Sequence, residues 1–469
     1  MYQNVNNVVS HLPPEFASEL MPAIREEFIR GQKTIVVFDD DPTGTQTCHD
    51  VVVLTSWTVD LIVEELKKKP SILFILTNSR SMTEAAAVEL TLEIGSNLKE
   101  AVSQSGRSIV AVSRSDSTLR GHFPAEVVAL ARALNIADAV LILLPAFIEG
   151  GRFTIEDVHY IVEQQELIPV ADTPFAKDQV FGYSHSNMKE WVEEKTKGDI
   201  KANEVISFSI EDIRVGGPSA IAEKLTRCHP GQICVVNAVS YKDLEVFTLG
   251  LLQAEKSGKT FLFRSSATFV PIRAGIAPGK IVTPEKRDLT SSNGSLMVVG
   301  SYVPKTTLQL NYLLRELTHQ AIEVDVTDLL KSTNASQQLS FIIRQTDQLL
   351  SSGKDVVIYT SRKLQEGHDA QSSLKINGVV STFLVNIVKG LTVRPSFIVA
   401  KGGITSSDLA SKGLSAKKAL ILGQAIPGVP VWKLDLHSKF PEIVYIVFPG
   451  NVGGEAALSE VCKRFKFNN

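Results

Sequence analysis

Residues 35–45 read IVVFDDDPTGT and place a short apolar run directly before three aspartates. The run Ile35–Phe38 is too short for a helix and suits a strand that is buried on both faces. Comparable runs recur along the chain and alternate with longer amphipathic stretches such as Ala85–Leu98. This alternation is typical of parallel sheets that are covered by helices. It predicts an α/β fold with mostly parallel, doubly wound sheets.

The apolar runs form two sets, which we expect to be the strands of two α/β domains. The first set is Ile35–Phe38, Ile72–Leu76, Ile109–Val112, Val140–Leu144, Ile233–Val236 and Phe261–Phe263. The second set is Leu296–Val299, Ile322–Val326, Val356–Tyr359, Phe397–Ala400 and Val444–Phe448. The polar stretch Thr283–Ser295 separates the sets and has no apolar periodicity. We therefore expect an N-terminal domain over residues 1–285 and a C-terminal domain over residues 295–469.

Composition and charge narrow the class of protein. The 469 residues carry 48 basic and 51 acidic side chains, a net charge of −3, which argues against a nucleic-acid-binding protein. No apolar run approaches the roughly 18 residues of a membrane span, and the N-terminus resembles no secretory signal. Four cysteines without a CxxC pair suggest a reducing compartment. We expect a cytoplasmic protein with no nucleic-acid or membrane partner.

Polar clusters follow three runs of the first set, where ligands bind in open parallel sheets. Asp39–Asp41 follow the first run, and a turn alone would need only one aspartate. Arg80 follows the second run and suits a carboxylate or phosphate, while Ser81 with Glu84 fits a helix capping box. The third run leads into residues 113–122, SRSDSTLRGH. Carboxylates can bind hydroxyl groups and guanidinium groups can bind an anion, so these residues favour a polyhydroxylated anion as the ligand. The irregular residues 168–188 are either a surface excursion or a loop over this site.

Glycine turns follow three runs of the second set. They are Gly300-Ser301, Gly402–Asp408 and Gly450–Gly454, each followed by a predicted helix. Such turns expose backbone N–H groups, which bind phosphate oxygens well, and the hydroxyl groups of the second turn suit a helix N-cap. One glycine turn would be weak evidence, because glycine also permits tight connections. Three in one half of the chain favour a nucleotide or phosphate site.

These residues resemble one family along most of the chain, from about Lys33 to Arg464. The matching motifs are DDPTGT, TNSR, RSDSTLRG, LPAF with GGR, GSYVPKT, AKGGITSSDLA and FPGNVGG. In this order they are similar to the four-carbon acid sugar kinases, which are ATP-dependent enzymes. Members phosphorylate threonate, erythronate or 3-oxo-tetronate at the terminal hydroxyl. The resemblance implies an N-terminal domain that binds the acid sugar, a C-terminal domain that binds ATP, and an active-site cleft between them.

The resemblance also implies roles for individual residues. Asp40 would accept the proton of the terminal hydroxyl, and Arg80 would hold the substrate carboxylate. The implied substrate-binding residues are Asp40, Asp41, Arg80, Asp116, Ser117, Thr118, Leu119 and Arg120. The implied ATP-binding residues are Ser301, Gly402, Gly403, Ile404, Thr405 and Gly450. Mg²⁺ would bridge the β- and γ-phosphates of ATP, although the sequence does not locate its ligands. The sequence leaves open whether the chain forms a homodimer and which four-carbon acid is the substrate.

Three positions depart from the family pattern. Pro42 stands where leucine is typical, and Ile404 stands where an acidic residue is usual. Phe448 replaces a lysine that often precedes the last glycine turn, so that a positive charge near the phosphates is missing. The departures indicate a divergent branch of the family.

Two other interpretations stay open. Asp39 and Asp41, two residues apart after an apolar strand, also fit the nucleophile and acid of a haloacid-dehalogenase-like phosphatase. The glycine and hydroxyl turns of the second half have no role in such an enzyme. The third interpretation is a non-catalytic sensor of sugar acids or nucleotides on the kinase scaffold, since a fold does not by itself imply chemistry.

Overall fold

The computed structural model describes residues 2–277, 279, 281–282, 292–316, 320–331, 335–362 and 370–466. Most of the predicted boundary, residues 283–291, lies outside the described residues. Contacts between Cα atoms divide the chain into two compact units. The N-terminal unit comprises residues 1–44 and 57–278, and the C-terminal unit comprises residues 45–56 and 279–469.

The strands of the described residues are, in chain order, β1 (Gln3–Asn4), β2 (Lys33–Asp39), β3 (Val51–Leu54), β4 (Ile72–Leu76), β5 (Ser108–Arg114), β6 (Val140–Leu144), β7 (Arg152–Ile155), β8 (Val158–Glu163), β9 (Glu166–Pro169), β10 (Ile206–Phe208), β11 (Ile233–Val236), β12 (Phe261–Ser265), β13 (Leu296–Val299), β14 (Gln320–Val324), β15 (Val356–Thr360), β16 (Ile398–Lys401), β17 (Lys418–Gln424), β18 (Pro430–Leu434) and β19 (Val444–Phe448).

The helices of the described residues are α1 (Val5–Ser10), α2 (Met21–Gly31), α3 (Val59–Lys67), α4 (Glu84–Ser105), α5 (Ala125–Ala133), α6 (Met188–Lys195), α7 (Ile210–Arg214), α8 (Gly217–Arg227), α9 (Tyr241–Glu255), α10 (Phe269–Arg273), α11 (Pro304–Glu316), α12 (Val326–Lys331), α13 (Ala335–Ser351), α14 (Ala370–Gly390), α15 (Gly403–Asp408) and α16 (Ala457–Phe465).

The main sheet of the N-terminal unit is parallel, with strand order β10-β11-β6-β12-β5-β2-β4. Every residue of Ile72–Leu76 is buried, which requires cover on both faces of the sheet. Helix α4 packs on α3 and α5, and α9 packs on α8 and α2. Because all these strands are parallel, their carboxyl ends lie along one edge of the sheet. The predicted α/β class with parallel sheets is confirmed.

A small antiparallel sheet, ordered β1-β9-β8-β7, was not predicted. Its two hairpins turn through Glu156-Asp157 and Gln164-Gln165, and all four residues have positive φ. Two-residue hairpin turns of this kind are usually marked by Asn-Gly or Asp-Gly. These turns contain no glycine, so no local signal marks the hairpins in the sequence.

The sheet of the C-terminal unit is mixed, with strand order β3-β17-β18-β19-β16-β13-β15-β14. The five strands from β19 to β14 are parallel, while β3, β17 and β18 are antiparallel to their neighbours. Its core includes Val299, Val399, Ile446 and Leu458, each less than 1 % exposed.

Two local predictions are wrong for the same physical reason, a helix cap that the sequence pattern did not reveal. The fourth run of the second set was expected to reach Val326, but β14 ends at Val324. The Asp325 carboxylate accepts hydrogen bonds from the backbone N–H groups of residues 327 and 328, which starts α12. Similarly, Thr83 rather than Ser81 caps α4, because its hydroxyl accepts from the N–H of residue 86.

Candidate active site

Asp39 is the last residue of β2 and the innermost of the three successive aspartates. Its side chain is fully buried, and its Oδ1 accepts a hydrogen bond from Arg114 Nη1 at 3.2 Å. Burial raises the pKa of Asp39 to about 7, although Arg114 opposes the shift. A Cβ atom on Gly44 would lie 2.2 Å from both carboxylate oxygens. Glycine is therefore required where the chain turns back over Asp39.

Asp40 forms a bidentate ion pair with Arg80. The distances are 2.6 Å from Arg80 Nη2 to Oδ1 and 3.2 Å from Arg80 Nε to Oδ2. The Ser115 hydroxyl donates to Oδ2 at 2.8 Å, and Arg114 Nη1 lies 3.7 Å from Oδ1. Asp40 is only 4 % exposed, so these donors fix the orientation of its carboxylate.

Asp41 and Asp116 face the remaining nitrogen of Arg80. Arg80 Nη1 lies 3.8 Å from Asp41 Oδ2 and 3.7 Å from Asp116 Oδ1. Burial disfavours the charged form of Asp41, but Arg80 and hydrogen bonds from Thr43 outweigh it and hold the pKa of Asp41 below its usual value. For Asp116, burial is likewise outweighed by Arg120 and Arg80, and its pKa is also lowered. Both side chains are therefore carboxylates at neutral pH.

The loop that follows β5 brings the other predicted substrate residues to the same edge. Arg120 Nε donates to Asp116 Oδ2 at 2.7 Å, and the Thr118 hydroxyl donates to the same oxygen. Leu119 has φ +65° and is buried, while the carbonyl of Ser117 accepts from His159 Nε2. The structure thus brings together all eight residues that the sequence predicted for the substrate.

The irregular residues 168–188 lie against the loop that follows β5. This favours their interpretation as a loop over the site rather than a surface excursion. The Tyr183 hydroxyl donates to the carbonyl of Thr118 at 2.7 Å. The Arg120 guanidinium lies over the Phe175 ring, 5.0 Å from its centroid, and 3.8 Å from Asp178. Residues 175–183 therefore hold the loop from outside the sheet.

Three further arginines lie in this region: Arg114, Arg152 and Arg264. The sequence analysis included Arg114 in the polar stretch 113–122 and Arg152 in the GGR motif without giving either a role, and it missed Arg264. Arg114 is the last residue of β5 and Arg264 is the last but one of β12, so their strand-end positions were the available signal. Among the described residues, no carboxylate lies within 4.0 Å of Arg152 or Arg264. Arg264 Nη1 and Arg152 Nε are buried and without a hydrogen-bond partner. The site therefore holds guanidinium groups that its own carboxylates do not pair.

The three glycine turns of the C-terminal unit also come together. They follow β13, β16 and β19, which are neighbouring parallel strands. The Thr306 hydroxyl lies 3.1 Å from Ser301 Oγ and donates to the carbonyl of Gly450 at 2.8 Å. A Cβ atom on Gly450 would lie 2.9 Å from Ser301 Oγ. The backbone of the third turn thus lies close to the Ser301 side chain of the first turn.

The second glycine turn differs in part from its prediction. Gly402 has φ +120° and precedes α15 without any side-chain cap, so the expected N-cap hydroxyls are not used. The Thr405 hydroxyl points instead toward Gly300, where a Cβ atom would lie 2.2 Å away. Gly403 begins α15, and Ile404 is 41 % exposed.

Two cations of the C-terminal unit were also missed. Arg362 Nη1 and Nη2 both donate to the carbonyl of Ser301 at 2.9 Å. Lys401 is fully buried at the end of β16 and donates to the carbonyls of Pro449 and Gly450. The sequence did show Lys401 beside the second turn, but not that its side chain reaches the third.

Metal and membrane sites were searched in the described residues. No group of three or more His, Cys, Asp or Glu residues there is placed to hold a metal ion. Mg²⁺ in kinases is held mostly by substrate phosphates with one or two carboxylates. The described residues therefore do not by themselves supply a full set of Mg²⁺ ligands. None of their helices is long and apolar enough to cross a membrane.

Comparison with known proteins matches a different family model to each of the two units. Residues 35–272 match the family model of a sugar-binding N-terminal domain, and residues 296–458 match that of a nucleotide-binding C-terminal domain. A D-threonate kinase of Salmonella typhimurium is 23% identical over 442 residues, which cover 91% of this chain and 97% of that protein. The chain belongs to the four-carbon acid sugar kinase family.

Two solved structures are similar to this chain in fold. A Haemophilus influenzae protein has a TM-score of 0.59 at 17% identity, covering 92% of this chain and 100% of its own. A Salmonella typhimurium protein, described as a putative tRNA synthase, has a TM-score of 0.66 at 16% identity with the same coverage. The family resemblance inferred from the motifs is confirmed, and the roles of individual residues stay predictions.

Proposed function

We propose that this chain is an ATP-dependent kinase that phosphorylates the terminal hydroxyl of a four-carbon acid sugar such as threonate, erythronate or 3-oxo-tetronate. The observation that carries the proposal is the Asp40 carboxylate, fixed by Arg80 and Ser115 at the carboxyl edge of a parallel sheet. Phosphoryl transfer depends on positioning and charge stabilisation more than on covalent chemistry. A fixed carboxylate can orient a hydroxyl group and accept its proton as the new O–P bond forms.

The charge of the N-terminal site supports an anionic substrate. Asp40, Asp41 and Asp116 are paired with Arg80, Arg114 and Arg120, whereas Arg152 and Arg264 have no carboxylate within 4.0 Å among the described residues. A substrate carboxylate would compensate this excess of buried positive charge. The side chains of Asp116 and Thr118 can bind the hydroxyl groups of the acid sugar.

Arg80 has two tasks under this proposal. Its Nε and Nη2 are occupied by Asp40, so its first task is to orient that carboxylate. Within the part of the chain that the structure describes, its Nη1 has no carboxylate closer than 3.7 Å. It is the nitrogen that can contact the substrate carboxylate, as the sequence predicts. Arg80 would thus bind substrate with one edge of its guanidinium group and Asp40 with the other.

In the C-terminal unit, Ser301, the Gly402–Thr405 turn and Gly450 are proposed to bind ATP, with Mg²⁺ accompanying its phosphates. The support is their convergence at the ends of three neighbouring strands. Glycine lets phosphate oxygens approach the backbone N–H groups of such turns. ATP supplies the phosphoryl group, and the residues of the turns hold the nucleotide.

The geometry does not favour a phosphatase. That enzyme would use Asp39 as nucleophile, but Asp39 is fully buried beneath Gly44 and paired with Arg114. A nucleophile has to reach the phosphorus atom of its substrate, and Asp39 has no path to do so in this conformation.

The proposal is tested by incubating the protein with Mg²⁺-ATP and a panel of four-carbon sugar acids. We expect ADP release with at least one acid, and a product with phosphate on its terminal carbon, identified by phosphorus NMR. Binding of an acid without any ADP release would support the sensor. Release of phosphate from phosphomonoesters without ATP would support the phosphatase.

A further inference from the structure

Lys401 is buried beside the third glycine turn and has no counter-ion among the described residues. It is the last residue of β16, where it pairs in register with Phe448 of β19. Its Nζ lies 4.1 Å from the centroid of the Phe448 ring and 3.3 Å from the carbonyl oxygen of Gly450, and it also donates to the carbonyl of Pro449. No carboxylate of the described residues lies within 4.0 Å of it. Its contacts with these residues are all with neutral groups.

A buried ammonium group without an anion is unfavourable, because neutral groups replace only part of its hydration. Burial, together with the charge of Lys305 in the first turn of α11, lowers the pKa of Lys401 to about 6. Other charged groups on neighbouring elements have different partners. Arg362 donates to the carbonyl of Ser301, and Asp408 accepts from Ser381 and pairs with Lys412. At pH 7.5 the Lys401 amine is therefore mostly neutral in the free protein.

Pairing of β16 with β19 places the Lys401 amine next to position 448, where the sequence has no cation before the third glycine turn. Phe448 ends β19 shortly before the third glycine turn and brings no charge to it. Its register partner on the adjacent parallel strand is Lys401, whose Nζ reaches over the Phe448 ring to the same turn. The missing positive charge can thus come from the neighbouring strand.

We propose that Lys401 supplies the positive charge at the third glycine turn and takes up one proton from solvent when a nucleoside polyphosphate binds there. The inference rests on the proposed nucleotide role of this unit. A polyphosphate at the turn provides the anion that the free protein lacks, which favours the ammonium form. Proton uptake and phosphate binding are then linked, and each strengthens the other.

Calorimetric titration of the full chain with ADP, without acid sugar, tests the proposal. Titration at pH 7.5 in two buffers with different heats of ionisation gives the number of protons exchanged. We expect uptake of close to one proton by the wild type. Lys401→Met, which keeps the apolar chain and removes the charge, should lose this uptake and bind ADP about tenfold or more weakly. Lys463→Met is the matched control, because Lys463 is an exposed lysine of the same unit. It should behave as wild type.

Thermal unfolding without nucleotide shows whether the variant is folded. The unfolded chain protonates Lys401 at its ordinary pKa, whereas the folded chain resists protonation. Stability contributed at this residue therefore rises with pH above about 6. Folding at a pH below the ordinary pKa of lysine has to remove the proton from Lys401, which costs free energy. Lys401→Met removes this cost, so the variant should melt at a higher temperature than wild type. The difference should be larger at pH 6.5 than at pH 9. A variant that only disrupted the turn would melt lower at both pH values.

The outcomes separate the two proposals. ADP binding without proton uptake by the wild type, or the same uptake by Lys401→Met, would overturn the role of Lys401 and leave the kinase proposal standing. Absence of any ADP or ATP binding by the wild type would overturn the nucleotide role of the unit and the inference with it.

Discussion

Arg80 donates to both carboxylate oxygens of Asp40 and lies within 3.8 Å of Asp41 and Asp116. The neighbouring carboxylates raise its pKa well above the ordinary value, although burial opposes this, so Arg80 is always charged. The sequence indicated that these residues belong to one site, because each follows an apolar run. It could not show which arginine pairs with which aspartate, since that depends on side-chain directions across three strands.

Replacement of Arg80 by alanine should weaken binding of the acid sugar and leave nucleotide binding intact. A charge-assisted contact contributes on the order of 1.5–3 kcal/mol, so a ten- to hundredfold loss of affinity is expected. The rate should fall as well, because Asp40 loses its orienting partner. Calorimetry with each ligand separates the two affinities. Arg107→Ala is the control, since Arg107 lies at the opposite end of β5 and donates to Thr34 and to the carbonyl of Lys33. Unchanged affinity for the acid in Arg80→Ala would remove Arg80 from the substrate site.

Asp39 and Asp40 should respond differently to replacement by asparagine. In a kinase, Asp40→Asn should retain both substrates and lose about 10²–10⁴ in turnover, because it loses the general base. Asp39→Asn should keep most activity, since Asp39 is buried away from substrate. Parallel assays of ATP-dependent phosphorylation and of phosphate release check this. The pattern expected of a phosphatase is the reverse, with Asp39→Asn inactive and Asp40→Asn unaffected.

The turn after β2 shows how one element depends on a glycine. The sequence predicted this turn from its position and composition, but not the reason for Gly44. The backbone there passes directly over the Asp39 carboxylate, so there is no room for a side chain.

Gly44→Ala should therefore destabilise the fold by about 1–3 kcal/mol, the usual cost of overpacking. It should also reduce turnover, because a shift of Asp39 moves the adjacent Asp40. Denaturant unfolding and steady-state kinetics measure the two effects. Gly31→Ala is a suitable control, because a Cβ atom on Gly31 would meet nothing within 4 Å. Wild-type stability and activity in Gly44→Ala would contradict this close approach.

Elements differ in how far the sequence predicts them. The buried parallel strands are predicted well, because continuous apolar runs such as Val140–Leu144 leave little choice of structure. The hairpins of the small sheet are missed, because Glu156-Asp157 and Gln164-Gln165 adopt positive φ without glycine. The convergence of Ser301 with Gly450 is not predictable locally, since it follows from the order of strands in the sheet.

At the scale of the whole molecule, the two ligands should act on different units. We expect the acid sugar to slow amide hydrogen exchange in residues 78–82 and 115–121, and ADP to slow it in residues 300–306 and 449–452. A ligand protects backbone groups whose local opening competes with binding. Exchange followed by mass spectrometry gives this map. Protection of residues 115–121 by ADP alone, or of residues 449–452 by the acid sugar alone, would contradict the assignment of roles.

Residues 45–56 leave the N-terminal unit, contribute β3 to the C-terminal unit by pairing with β17, and are followed by residues that return to the first unit. The C-terminal unit is therefore discontinuous in the gene as well as in the chain. During synthesis, β3 is made long before β17, its partner, and has to wait for it. A fragment starting at residue 279 would lack β3 and expose β17 as an unpaired edge, which invites association with other chains. Recombination at residue 279 would thus exchange a C-terminal unit that lacks residues 45–56.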